Sequence, residues 1–242
     1  MTPPSDVVVL FDVDNTLLDN DRIVADLRGH LEREFGAEGR DRYLAIFEKL
    51  HAKLGYMDYL GALQLYRTED MCDPRLLMMS SFLVDYPFTD RLYPLSIEVL
   101  EHARHWGETV ILSDGDVVFQ TRKVQRSGLW EAVEGRVLIY IHKEQMLMDV
   151  ESRYPSRHYV MVDDKLRILT AMKRIWGTRL TTVWSRQGRY ALDPETTAAY
   201  PPPDLTIGHI GDLMNYDLAA VLGRVDAGDR DGRNDQSGTI TS

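Results

Sequence analysis

A single cysteine, Cys72, stands among the 242 residues, so no disulfide can form within the chain. Long hydrophobic runs are missing as well. Nowhere do about 18 consecutive apolar residues occur, and no bilayer-spanning helix is expected. Met1 to Asp6 carries no basic stretch followed by an apolar one, so no secretory leader is expected, and a cytoplasmic location follows as the working expectation. Positive charge is in short supply: 28 Lys and Arg face 38 Asp and Glu, a formal net charge of −10. That balance speaks against a nucleic-acid partner, because binding a phosphate backbone draws on clustered cations. It says little about a small phosphate ester, which a metal and a few local cations can hold. The histidines are scattered and form no Cys/His cluster of the kind that binds zinc. No internal repeat is visible.

What is present is an alternation. Short apolar, β-branched runs recur at Val7–Phe11, Thr109–Leu112, Val137–Ile141, Tyr159–Val162, Thr181–Trp184 and Leu205–Ile207. Each has the length of a buried strand, and helical patterns separate them from the second onward. This predicts an α/β fold, a parallel sheet with helices on both faces. One helix is expected to open at Pro94, turn Ile97 and Leu100 to the sheet, and end by Gly107. Another runs from Lys165 through Leu166, Leu169, Met172 and Trp176.

The long gap between the first two runs breaks the rhythm. Residues 19–90 contain amphipathic stripes but no convincing strand: Ile23, Leu27, Leu31 and Phe35; Phe47, Leu50 and Leu54; Tyr59, Leu63 and Tyr66. Asp73-Pro74 suits the cap and first turn of a further helix carrying Leu76, Met79 and Leu83. A helical module over 19–90 is therefore expected to interrupt a core made of 1–18 and 91–222. Simple packing accounts for most of these stripes. Residues 223–242, rich in Gly, Asp, Arg, Ser and Thr, read as a disordered tail. Pro201-Pro202-Pro203 reads as a stiff connector into the last strand.

Polar residues gather where the strands should end. The first run leads into Asp12-Val13-Asp14-Asn15-Thr16, and ligands of open parallel sheets collect at such ends. Two carboxylates two residues apart repel, and a bound cation is the simplest remedy. Later runs lead into Ser113-Asp114-Gly115, a turn that offers N–H groups and a helix start to an anion. They lead also into His142-Lys143 and into Asp163-Asp164-Lys165. Each has an ordinary reading on its own: Ser113 capping a helix, Lys143 solvated, Asp163 an N-cap. Four such strand ends in this order are harder to explain that way.

The series D-x-D-x-T, then Ser, then Lys, then Asp-Asp resembles the motifs of the haloacid dehalogenase-like (HAD) hydrolases, over about residues 7–215. The resemblance implies a Rossmann-like core with a mobile helical cap inserted after strand 1, and a phosphatase or, less often, a mutase or dehalogenase. It implies Asp12 as nucleophile and Asp14 as general acid and base, its carbonyl also on the metal. Thr16 is expected to steady the loop and the Asp14 side chain, and Ser113, Asp114 and Gly115 to bind phosphate. Lys143 would neutralise Asp12 and the transferring group. Mg²⁺ is the implied cofactor, held by Asp12, Asp14, Asp163 and Asp164, with Asp164 the direct ligand and Asp163 acting through water.

Dehalogenating relatives lack the carboxylate at the Asp14 position, because a halide leaves without a proton. A small phosphorylated substrate is therefore expected, through an aspartyl-phosphate. A phosphomutase with the same residues and an inactive phosphate-binding homologue are the alternatives. Glu144-Gln145 follows Lys143 where many relatives carry proline. Asn20, Asp21 and Arg22 stand at the expected hinge, facing either the site or solvent. Tyr43, Tyr56, Tyr59 and Tyr66 either line a pocket or pack helices.

Overall fold

Each apolar run becomes a strand in the computed structural model, which describes residues 5–68 and 73–223. The strands are β1 Ser5–Phe11, β2 Glu108–Asp114, β3 Val137–Tyr140, β4 Ser156–Asp163, β5 Leu180–Ser185 and β6 Leu205–Ile207. All pair in parallel, in the order β3-β2-β1-β4-β5-β6. The order reverses at β1 and β4, so a crevice opens at their carboxyl ends, where ligands of such sheets bind. Asp12 follows β1 and Asp163 closes β4.

The helices are α1 Asn20–Leu54, α2 Tyr59–Arg67, α3 Arg75–Val84, α4 Ser96–Ala103, α5 Phe119–Arg126, α6 Leu129–Ala132, α7 Leu147–Arg153, α8 Leu166–Trp176, α9 Gly188–Leu192 and α10 Pro194–Ala198. Alternate residues of β1 serve opposite cores. Val7, Val9 and Phe11 pack with Val99 and Leu100 of α4, whereas Val8 and Leu10 pack with Leu169 and Met172 of α8. Burial of both faces explains why the central strands read as unbroken apolar runs. Gly107 permits the entry into β2, since a Cβ there would lie 2.1 Å from the Val7 carbonyl oxygen.

Among the described residues of 20–84 the regular structure is all helix, with no strand, as the stripes predict. Ile23, Leu27, Leu31, Phe47, Tyr59, Leu63, Tyr66, Leu76, Met79 and Leu83 are all buried. The 35-residue α1 breaks at Gly36, which takes φ 74° and ψ 174°, a conformation essentially closed to other residues. Aromatic rings then dock this layer on the core. Phe119 of α5 meets Tyr59 at 5.0 Å and Phe88 at 5.8 Å between ring centroids.

Some boundaries move. The helix expected from Pro94 to Gly107 covers only Ser96–Ala103, and turns carry the chain on to Gly107. Asp73 does accept the Arg75 N–H, at 2.9 Å, but α3 begins at Arg75, after Pro74. Ile141 falls outside β3. Cys72 and the tail from residue 224 lie outside the described residues. No described helix is long and apolar enough to cross a membrane.

Candidate active site

The site starts with the way β1 ends. The Asp12 N–H still donates to the Val162 carbonyl of β4, at 3.0 Å. The chain then coils so that the N–H groups of Thr16, Leu17 and Leu18 all reach the Val13 carbonyl at 3.0–3.2 Å. Asn15 completes the coil at φ 60°, a left-handed conformation that Asn tolerates better than most residues. This folding brings the Thr16 hydroxyl to Asp12 Oδ2, at 3.2 Å. The same hydroxyl accepts the Asp164 N–H at 3.1 Å, tying the β1 loop to the end of β4.

Lys143 closes the floor. Its Nζ lies 2.5 Å from Asp12 Oδ1 and 2.7 Å from Asp163 Oδ2, and it donates to the Leu112 carbonyl at 3.3 Å. Burial opposes the charge on this ammonium, but Asp12, Asp163 and Asp114 outweigh it and hold the lysine protonated far into alkali. The Lys143 N–H donates to Asp114 Oδ1 at 2.7 Å. Glu144, in place of the family's frequent proline, is buried and pairs with Arg167 at 2.7 Å. That pairing leaves the Lys143 contact with Asp12 intact.

Asp12, Asp163 and Asp164 form a buried trio, each offering one carboxylate oxygen within 4.8 Å of the others. Burial pushes the Asp163 and Asp164 carboxyls up, and their neighbouring carboxylates add to the effect. Asp163 already has protein partners, accepting the Lys165 N–H at 2.8 Å as well as pairing with Lys143. Asp164 differs: both its oxygens are buried, and neither has a hydrogen-bond partner among the described residues. A buried carboxylate left unpaired in this way is costly unless a cation answers it. The donor set is all oxygen, which suits a hard dication.

A cavity of about 360 Å³ reaches the trio at Asp164. Asp14, Lys123, Asp164 and Lys165 line it from the core, and Tyr56, Met57 and Tyr59 from the helical layer. His142, the residue before Lys143, lines it too. Its ring packs against Gly55, where an added Cβ would meet it at 2.9 Å.

Several expected roles change at this level. Thr16 holds Asp12 and Asp164 and makes no contact with the Asp14 carboxylate; that carboxylate instead takes Lys123 at 2.6 Å and Gln120 at 3.4 Å. The Gly115 N–H is spent on the Tyr140 carbonyl at 2.9 Å, so it cannot cradle phosphate. The start of α5 is capped by Asp116, whose Oδ1 accepts from Val118 and Phe119. An acidic group there occupies the place an anion would take. Ser113 is the last residue but one of β2, and its hydroxyl accepts from Gln120 Nε2 at 2.9 Å.

At the hinge, Asn20 reaches Lys123 and Asp21 accepts the Arg189 N–H at 2.7 Å, while Arg22 sits at the surface against Asp26. Tyr43 and Tyr66 are core residues, whereas Tyr56 and Tyr59 line the cavity. Lys123 and Gln120 had no place in the motif series. The signal was nonetheless present: three residues apart, they share one helix face with the flanking apolar Phe119 and Val124.

Sheet order, strand-end carboxylates and helical insert together define an α/β protein with a buried acidic site at the switch point of its parallel sheet. The chain belongs to the haloacid dehalogenase-like hydrolase family, whose model matches residues 7–175, more than half of its length. A haloacid dehalogenase-like hydrolase from Burkholderia xenovorans is 63% identical to it, with a TM-score of 0.84 over 89% of this chain and 97% of that one. The magnesium-bound HAD-hydrolase YfnB of Bacillus subtilis is 16% identical, with a TM-score of 0.56 over 86% and 96%. The L-2-haloacid dehalogenase of Xanthobacter autotrophicus, carrying covalently bound chloropropionic acid, is 18% identical, with a TM-score of 0.55 over 86% and 96%. At such identity the last two share the fold and no more. No curated protein sequence matches the chain.

Proposed function

We propose that this hydrolase cleaves a small phosphate monoester through an aspartyl-phosphate on Asp12, with Mg²⁺ as cofactor. The observation that carries the reading is the pairing of Asp14, a second carboxylate on the cavity wall, with an acidic trio in which the Asp164 carboxylate has no hydrogen-bond partner among the described residues. Halide departure calls for neither feature. Phosphoryl transfer to a carboxylate calls for both, because like charges must meet and an alkoxide must leave.

Asp12 would attack phosphorus as the bond to the ester oxygen breaks, and Asp14 would give that oxygen its proton. Asp14 would then take a proton from water as the water attacks the phosphorus of the aspartyl-phosphate, freeing phosphate and restoring Asp12. Lys143, fixed by two carboxylates, offsets charge on Asp12 and on the transferring group. The Asp12 and Asp164 carboxylates and the Asp14 carbonyl would hold the metal, with Asp163 one step removed by its bond to Lys143. Bound Mg²⁺ lowers the repulsion between nucleophile and phosphate and stabilises transition-state charge. Residues 19–90 would serve as the cap that selects the substrate and screens it from water.

The test is turnover of p-nitrophenyl phosphate with Mg²⁺. Wild-type protein should release phosphate, and both Asp12→Asn and chelation should abolish that release. An Asn variant as active as wild type would sink Asp12 as nucleophile. Consumption of 2-chloropropionate without phosphatase activity would favour the dehalogenase branch instead.

A further inference from the structure

Lys123 lies outside the expected motif series, yet it is among the most completely buried charges in the molecule, with its side chain 1% exposed. An ammonium so placed needs partners. It donates to Asp14 Oδ1 at 2.6 Å and to Asn20 Oδ1 at 3.1 Å, and it stands 5.3 Å from the Phe119 ring centroid. Gln120, on the same face of α5, approaches the same Asp14 oxygen at 3.4 Å. Both contacts fall on Oδ1. Oδ2 is left without a hydrogen bond to any described residue, in a carboxylate that is a quarter exposed and lines the cavity. Asn20 is the first residue of α1, so one buried cation bridges the helical insert and the carboxylate that moves protons.

We propose that Lys123 is a positioning residue. It pins Oδ1 of Asp14, presents Oδ2 to the ester oxygen, and makes that placement depend on the seating of α1 through Asn20. The proposal rests on the phosphatase reading above. A side chain that acts through an acid–base group should matter in proportion to how badly the leaving group needs a proton.

The experiment measures kcat/KM for a series of phosphate monoesters whose leaving groups run from p-nitrophenol to a simple alkyl alcohol. Lys123→Met should lower the alkyl rate by about 100-fold or more and the p-nitrophenyl rate by less than about threefold, with Lys123→Arg recovering much of the difference. A uniform fall across the series, or none, would overturn the proposal. Asn20→Asp gives a second route that leaves the buried lysine in place. The added carboxylate competes for the ammonium, and the same leaving-group-selective loss is expected; a flat response again overturns it.

The two readings fail separately. Turnover in Asp12→Asn judges the nucleophile, while the slope across leaving groups judges Lys123. Crystal structures of wild type and Lys123→Met add a readout without turnover. Displacement of the Asp14 carboxylate supports the proposal, and an Asp14 and Asn20 that stay in place reject it.

Discussion

At the scale of single residues, the site is a problem of charge neutralisation in a dry place. Lys143 is shared by Asp12 and Asp163, so it does for two buried carboxylates what no solvent can do. Removing one partner of such an arrangement is far worse than removing all of it. Lys143→Met should therefore destabilise the fold by about 3–5 kcal/mol, because it leaves two uncompensated carboxylates. Urea melts at neutral pH would read this, and a loss under about 1 kcal/mol would mean that the carboxylates find other partners. Asp164 behaves differently, having no protein cation in hydrogen-bond contact. Asp164→Asn should weaken Mg²⁺ binding by about 10-fold or more while leaving metal-free stability equal to or above that of wild type. Calorimetric titration with Mg²⁺ and chelated melts would check the two halves independently.

At the scale of elements, the insert depends on how its helices start and stop. Gly36 divides α1 with a conformation that only glycine takes without strain, although nothing stands within 4 Å of the missing side chain. Alanine is the better helix former, yet Gly36→Ala should cost about 1–3 kcal/mol, because the cost comes from the backbone and not from crowding. An unchanged or raised urea midpoint would show that α1 can run straight through. Asp58 caps α2 by accepting the Gly61 N–H at 2.6 Å. The helix so started carries Tyr59 and Tyr66 into the insert's aromatic cluster and sets Tyr59 on the cavity wall. Local capping and the shape of the candidate site are thus linked through one helix.

At the scale of the whole molecule, the acidic trio couples stability to pH and metal. Asp163 is pushed up to about 6 by burial, helped by the nearby Asp12 and opposed by Lys143; Asp164 is raised in the same direction. A carboxyl whose pKa is higher in the folded than in the unfolded chain binds protons more tightly when folded. Its contribution is then fully present below the ordinary carboxylate range and is lost as pH rises through the folded value. In chelator, the protein should lose stability between about pH 4 and pH 6, by about 1–3 kcal/mol from this group. Mg²⁺ that binds only the folded trio should restore it at pH 7.5, by about 2.7 kcal/mol at a hundredfold excess over Kd. Thermal melts at pH 5 and 7.5, with and without Mg²⁺, test both signs. A metal-free melting point that climbs steadily from pH 5 to 7.5 would contradict the linkage.

The sequence by itself determined the sheet and the row of groups along its edge. A strand buried on both faces must be apolar at successive residues, so the central strands β1, β2, β4 and β5 are visible as runs, and a parallel sheet then collects Asp12, Lys143, Asp163 and Asp164 at one edge. Those statements follow from covalent order and strand direction alone. Hydrogen-bond partners are another matter, because they depend on distances between elements far apart in the chain. Only the tertiary structure decided that Thr16 serves Asp12 and Asp164, that Asp14 turns to Lys123, 109 residues away, and that the Gly115 N–H is consumed by β3. Lys123 shows the reason most clearly. Its place between Phe119 and Val124 on one face of α5 hints at burial, but its partners, Asn20 on α1 and Asp14 in the β1 loop, are more than 100 residues away in sequence and come within reach only in the folded chain.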